Sequence, residues 1–481
     1  MQRTQYDLLS VEPTPGAGRP YTVHGLMAEQ QADVSARYPA PLRLAAGLAR
    51  LTPRRRVQLL GLDFGVEAST AHLDVRATGL LAPLMRDQVK RLRRLFERVP
   101  PPVGMRDGGF VYNLYQPPLP SVRFANHLCR VALEGRTPFR PTTCTLQVTT
   151  RCQLNCAHCS AARFKTRDRE ELSTAEWVSV VRQAERLGCY NIVYTGGEPL
   201  LRPDIFELIG AVNRDRAHVA MFSNGLLLTE ENTRRLAEAG LYSLMVSIDD
   251  PRPEAHDRLR CFEGGFERTR AGIGRALEAG LLVGLSTYAT PEDVHEGRAE
   301  QMIELARELG VHEITIFDTV PTGRLLPLEQ DQLLSPADKQ SLIALERKYN
   351  ATPGYPHIVT QAFINGPEGA GCFAGHAQFY MTAFGDVTPC DFTPLTFGNI
   401  RDHTLLECWE RMLSHPAYRQ RCDHCRMQDP EFRRQYIDHI PDEALLPWPA
   451  LDALRDEPHA PCSVACQSAG GPLPAKITRQ A

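Results

Sequence analysis

The chain is 481 residues long with a formal net charge of −3, too long for one ordinary domain and too nearly neutral for a general nucleic-acid binder. Hydrophobic residues make up 43% and charged residues 23%, a globular balance that excludes a disordered or fibrous chain. No run of about 18 apolar residues is present to span a membrane, and the opening MQRTQYDLLSVEP lacks the apolar core of an export signal, so the expected location is cytoplasmic.

In chain order, residues 1–139 form an N-terminal region with no recognisable motif. Within it, residues 80–99 place Leu81, Leu84, Met85, Val89, Leu92, Leu95 and Phe96 at three- and four-residue steps, the period of an amphipathic helix. Its basic face suits a membrane surface, but packing of the apolar stripe on its own domain is the simpler reading. Pro100 to Pro102 end that helix, and Pro117, Pro118 and Pro120 mark an extended crossing to the next domain.

From Cys144 the pattern changes to strands alternating with helices, which predicts parallel βα units over residues 140–330. Strands are expected at 143–149, 191–195, 218–222, 242–248, 282–288 and 313–317. Between them Ser173 with Glu176 forms a capping box, and Gly188, Gly240, Gly280 and Gly310 each close a helix before the next strand. Six units make an α/β fold of partial (β/α)6 barrel type. Barrel enzymes place their chemistry at the C-terminal ends of strands, and every candidate motif falls there. Cys152, Cys156 and Cys159 follow the first strand as C-x3-C-x2-C. Gly196, Gly197 and Glu198 follow the second, Ser223, Asn224 and Gly225 the third, and Ser247 and Asp249 lie at the end of the fourth.

Three thiolates on so short a loop suit one metal centre. A [4Fe–4S] cube has four irons, and three cysteines leave the fourth open to something other than protein. Zinc binding or redox control is the alternative use of three such cysteines. After a linker at 331–369, a cysteine-rich region spans 370–466. Cys372 and Cys390 form C-x17-C, Cys422 and Cys425 form C-x2-C, and Cys462 and Cys466 come later. Soft ligands in pairs indicate a second metal site, a structural zinc being the alternative. Cys129, Cys144, Cys189, Cys261 and Cys408 stand singly and are expected to be small buried hydrophobes. Residues 467–481 are expected to be a mobile tail.

The C-x3-C-x2-C loop after a strand, followed by Thr195-Gly196-Gly197-Glu198-Pro199, resembles the radical S-adenosylmethionine (radical SAM) enzymes. That family has an aromatic before the third cysteine where this chain has His158. The resemblance implies that Cys152, Cys156 and Cys159 hold a [4Fe–4S] cluster whose open iron binds SAM. It further implies reductive cleavage of SAM to a 5′-deoxyadenosyl radical that abstracts a substrate hydrogen, with a flavodoxin- or ferredoxin-type protein as electron donor. Glu198, with Gly196 and Gly197, is implied to meet the methionine ammonium, and Ser223, Ser247, Asp249 and Arg260 to line the cofactor site. Pro321-Thr322-Gly323-Arg324 has counterparts near the adenine and substrate of similar enzymes.

Residues 370–466 resemble the SPASM and twitch domains, which carry auxiliary [4Fe–4S] clusters. Either Cys372, Cys390, Cys422 and Cys425 close one cluster, or Cys462 and Cys466 join them in ligating two. Similar enzymes modify ribosomally made peptides, for which residues 1–139 would be a recognition module. Others act on tetrapyrrole, cofactor or aminoglycoside-type small molecules. A non-catalytic iron–sulfur carrier or sensor has no need of the open iron.

Overall fold

The computed structural model describes residues 102–121, 123 and 140–450, with short gaps at 108, 120, 165–168, 420–421 and 442–443, and three strands at 4–6, 62–67 and 72–77. The helix expected at 80–99, Cys129, Cys462, Cys466 and the tail at 467–481 lie outside the described residues. The three early strands, β1 (Thr4–Tyr6), β2 (Leu62–Glu67) and β3 (His72–Ala77), form an antiparallel sheet in that order. A hairpin of β4 (Gly104–Arg106) and β5 (Gly109–Val111) follows, joined by Asp107-Gly108, the dipeptide that tolerates the positive φ of a two-residue turn.

The six expected strands are all present, as β6 (Thr143–Gln147), β7 (Asn191–Thr195), β8 (His218–Ser223), β9 (Ser243–Ser247), β10 (Leu282–Ala289) and β11 (Glu313–Asp318). They pair in parallel in sequence order, as near-continuous apolar runs buried on both faces do. The helices between them include α1 (Thr174–Leu187), α2 (Glu230–Ala239), α3 (Pro253–Arg260) and α4 (Gly265–Glu278). At the start of α1 the Ser173 side chain accepts from the Glu176 amide while the Glu176 carboxylate accepts from Ser173 N at 2.8 Å. Gly188 ends the helix at φ 101°, a conformation that costs a residue with a Cβ dearly.

Three expectations are corrected. The stretch 331–369 is not a linker: α5 (Pro336–Asn350) is followed by β12 (His357–Thr360), which pairs in parallel with β11 and extends the sheet. Its strand has only 4 residues, too short a run to stand out. The N-terminal region does not stop short of the barrel either, because residues 103–119 close the barrel's N-terminal mouth. Leu114 N donates to Glu313 Oε2 at 2.9 Å, Ser243 Oγ donates to Leu114 O at 3.1 Å, and Tyr242 Oη donates to Gln116 O at 3.0 Å. Val111 and Leu114 pack with Tyr242, Met245 and Leu282. Of the single cysteines, Cys144, Cys189 and Cys408 are buried as expected, but Cys261 is exposed, in the left-handed position that ends α3.

The cysteine-rich region is continuous with the barrel. Strand β13 (Gln378–Met381) pairs in parallel with β6 on the side away from β7, and β14 (Val387–Thr388) closes that edge antiparallel to β13. A short parallel pair, β15 (Leu395–Thr396) with β16 (Trp448–Pro449), lies beyond. Helix α6 (Leu405–Ser414) docks on the barrel through Leu405 N, which donates to Gln183 Oε1 of α1 at 3.0 Å. Its Trp409 is 1% exposed and meets Phe379 of β13 edge-on at 6.3 Å. Trp409→Ala should therefore lower the unfolding free energy by about 3–5 kcal/mol, measured by denaturant titration. A change within the error of that titration would show that α6 does not hold the region to the sheet.

Candidate functional site

The cysteine loop leaves the C-terminal end of β6 and is held from four sides. The Glu171 carboxylate accepts from Thr150 N at 2.6 Å and from the Thr149 and Thr150 hydroxyls. Buried Arg202 donates to Val148 O at 2.8 Å and Leu172 O at 3.0 Å and pairs with Asp204. Ala157 N donates to Leu259 O of α3 at 2.9 Å. Arg324 donates to Asn155 O and Cys156 O at 2.7 and 2.6 Å, while its own amide donates to Cys159 O at 3.1 Å. The Pro321–Arg324 turn thus clamps the loop. Glu171 and Arg202 are inconspicuous in sequence, because a clamp on backbone groups has no characteristic spacing, whereas Arg324 belongs to a motif that the sequence offers.

Cys152, Cys156 and Cys159 are free thiols, with Cys152 exposed and the other two half-buried. Burial raises the Cys156 thiol to about 11, Arg260 opposes that, and Asp249, Cys159 and Cys152 add to it. The Cys156 sulfur thus senses the other two and the Arg260 cation. Asn224 Nδ2 points to Cys152 Sγ at 3.9 Å. Three thiols on one clamped loop, which become thiolates on binding, fit an iron centre.

The two glycines after β7 are needed for the backbone of the chain itself. A Cβ on Gly196 would lie 2.4 Å from Thr149 O, and one on Gly197 would lie 2.1 Å from Arg151 O. The space lets Gly197 N donate to Thr149 O and Glu198 N to Arg151 O, each at 2.8 Å. Glu198 is fully buried and accepts from Ser223 Oγ, Asn224 N at 2.8 Å and Leu200 N at 3.1 Å; burial raises its carboxyl to about 7, against those bonds. Glu198 and Ser223 thereby bind each other and lock the ends of β7 and β8 together.

A second network lies at the end of β9. Asp249 and Arg260 form a two-pronged pair at 2.7 and 3.0 Å, both nearly inaccessible. Burial would raise the Asp249 carboxyl, but Arg260 and His158 hold it at about 2. His158 Nε2 lies 3.4 Å from Asp249 Oδ2 and its ring stacks on Tyr288 at 4.6 Å. The Asp249 amide donates to His256 Nδ1 at 3.2 Å, and the Asp257 carboxylate accepts from Gly264 N and Phe266 N at the start of α4. Two residues of the expected cofactor site, Asp249 and Arg260, thus pair with each other. Ser247 is half-buried at the same strand end.

Cys372, Cys390, Cys422 and Cys425 are all buried and come together. Cys372 N donates to Cys422 O at 2.8 Å, and the Cys425 thiol is pushed up by burial and then by Cys372 and Cys390. At Cys422 burial is outweighed by His424 and Arg426, which draw the thiol below its usual value. His415 is ringed by Phe397, Tyr418 and Tyr436 at 5.1 to 5.6 Å, a dry wall beside the four thiols. Next to Cys390, burial raises the Asp391 carboxyl to about 6. Tyr380 is raised by burial, then by Asp391 and Cys159, so its ring lies within electrostatic range of both cysteine sites.

The approach of Gly197 to the loop generates a test. Gly197→Ala should displace Thr150 and Arg151 and cost the first site its iron, roughly four per chain, while the buried C-terminal four cysteines keep theirs. Wild-type iron content in that variant, measured after anaerobic reconstitution, would mean the loop tolerates the methyl group.

Residues 146–306 match the model of the radical SAM superfamily, and residues 372–427 match SPASM, an iron–sulfur cluster-binding domain. An AdoMet-dependent heme synthase of Methanosarcina barkeri is 30% identical over 332 residues, covering 61% of this chain and 94% of that protein. A PqqA peptide cyclase of Rhizobium meliloti is 29% identical over 289 residues, covering 58% and 76%. Among solved structures, Streptococcus suis SuiB bound to precursor peptide SuiA superposes with a TM-score of 0.50 at 15% identity, covering 74% of this chain and 86% of that one, which is a likeness of fold. With both cysteine sites inside the matched segments and a relative covered over nearly its whole length, the chain belongs to the radical SAM superfamily and carries a SPASM domain, so that its cofactors are a [4Fe–4S] cluster, S-adenosylmethionine and an auxiliary cluster.

Proposed function

We propose that this radical SAM enzyme modifies a ribosomally made peptide. The observation that carries the reading is the N-terminal antiparallel sheet, in which β1 and β3 each have one edge unpaired among the described residues. An open edge accepts an extended peptide as an added strand. Relatives named PqqA peptide cyclase support a peptide substrate. The heme synthase of M. barkeri, matched over 94% of its length, favours a second reading in which the substrate is a tetrapyrrole. About two-fifths of this chain lies outside that match, which is the part the second reading leaves without a use.

When bound, the cluster and SAM supply one electron and a 5′-deoxyadenosyl radical that removes a hydrogen atom from the substrate. Cys152, Cys156 and Cys159 are proposed as the ligands that leave one iron open. Glu198, Ser223 and Asn224 hold the Gly-Gly turn against the loop. Asp249, its charge balanced by Arg260, fixes His158 beside the third cysteine. Cys372, Cys390, Cys422 and Cys425 are proposed as the ligands of a single auxiliary cluster. A flavodoxin- or ferredoxin-type donor and a cytoplasmic location belong to the same reading; among the described residues no helix is long and apolar enough to cross a membrane.

Alanine at Cys152, Cys156 and Cys159 together should abolish 5′-deoxyadenosine formation by dithionite-reduced protein while leaving roughly four irons per chain. Continued SAM cleavage would refute the first assignment, and zinc in place of the remaining iron would refute the second. The substrate reading is tested by incubating the reduced, reconstituted enzyme and SAM with a peptide encoded beside its gene or with a porphyrin. The expected outcome is a mass change in the peptide alone. Removal of residues 1–101, which spares the barrel floor, should abolish peptide pull-down. Conversion of the porphyrin and not the peptide would establish the second reading.

A further inference from the structure

At the barrel's N-terminal mouth, the end remote from both cysteine sites, lies a cavity of about 290 Å³ whose polar lining is Arg106, Asp107, Arg123, Arg214, His218 and Tyr242. The sequence brings these groups in from four separate segments. Arg106 and Asp107 form the tip of the β4–β5 hairpin, and Asp107 sits at φ 49°, which its short polar side chain tolerates. That turn aims its carboxylate at Arg123 Nη2, 2.6 Å away. Arg106 donates to Leu241 O at 3.2 Å and Gly280 O at 3.0 Å. Arg214 lies flat on Gly240, where any Cβ would collide with its guanidinium, and donates to Ala239 O.

Three guanidiniums thus face one carboxylate. A guanidinium offers five N–H donors, and the bonds just named occupy one or two of each. The residual charge is unbalanced: burial, then Arg123 and Arg106, lowers the proton affinity of Arg214 against the pull of Asp107. The fourth donor is His218. It is 1% exposed, its ring lies 4.7 Å from Tyr242 and 6.0 Å from Tyr190, and no side chain satisfies either ring nitrogen, the backbone of Tyr115 being its one polar contact. A buried imidazole so weakly partnered gains from an acceptor in the cavity, which would also relieve the repulsion among the arginines.

We propose that this pocket is a binding site for a small multivalent oxyanion, a phosphate- or polycarboxylate-bearing molecule held by Arg106, Arg123, Arg214 and His218. The volume exceeds that of one phosphate and admits a diphosphate or tricarboxylate. Asp107 sets the orientation of Arg123, and the excess of guanidiniums over carboxylates disfavours a cation in the pocket. Because the hairpin supplies two of the lining residues, the anion would also tie the hairpin to the ends of β8 and β9, away from the radical chemistry.

The test is calorimetric titration of full-length, iron-loaded enzyme with pyrophosphate, citrate, inorganic phosphate and chloride at constant ionic strength. Saturable binding of pyrophosphate or citrate at one site per chain is expected, with chloride inert. Arg106→Gln and Arg214→Gln should each weaken it by about tenfold or more, the loss of one charge-assisted contact, with iron content and substrate-free SAM cleavage unchanged. Absence of saturable binding to the wild-type enzyme overturns the proposal and needs no variant to fold. Binding that both variants leave intact also overturns it, since the anion would then sit elsewhere. Weaker binding with unchanged iron content in either variant supports it.

Discussion

The structure depends on the position of β6. This strand is hydrogen-bonded in parallel on both sides, to β7 and to β13, and Cys144, Leu146 and Val148 are buried without remainder. A strand paired on both edges and covered on both faces has no freedom to shift register, because a slip of one residue would turn every apolar side chain to the wrong face. The loop that leaves it therefore starts from a fixed point. Its remaining freedom is removed by bonds to backbone carbonyls from Arg202, Arg324 and the Gly-Gly turn.

Charges around this loop are arranged to cancel. Asp249 is buried against Arg260, and Glu198 against hydroxyl and amide donors. A buried ion pair contributes little net stability but is costly to break by removing one partner. The network is accordingly a positioning device more than a source of stability. It also leaves the cysteine loop with no strong net field from its own second layer, so that the charges of a bound cofactor would be the dominant ones there.

Much of this was legible in the sequence. The βα alternation gave the six strand positions to within one or two residues, because helix-closing glycines and caps bound each unit, and the cysteine spacings marked both metal sites. Two kinds of feature were not legible. Long-range pairing was one: nothing local in residues 378–381 says that they join β6, or that residues 103–119 seal the barrel floor, since neither contact has a periodicity. The other was partnership. Arg260 and Glu198 read as ligand groups when taken alone, and only the fold reveals that each already has protein partners. Glu171 and Arg202 give no local signal for the converse reason, since only the fold brings them to the backbone groups they hold.

The pairing of β13 with β6 makes the SPASM region inseparable from the barrel in a practical sense. Cutting the chain near residue 370 would strip one whole edge from an apolar central strand, and an exposed edge of that kind recruits other chains into intermolecular sheets. Synthesis must also run past residue 381 before β6 gains its second neighbour, more than two hundred residues later. During synthesis the nascent barrel is left with a sticky flank for most of that interval, a burden that falls on chaperones and not on the finished enzyme.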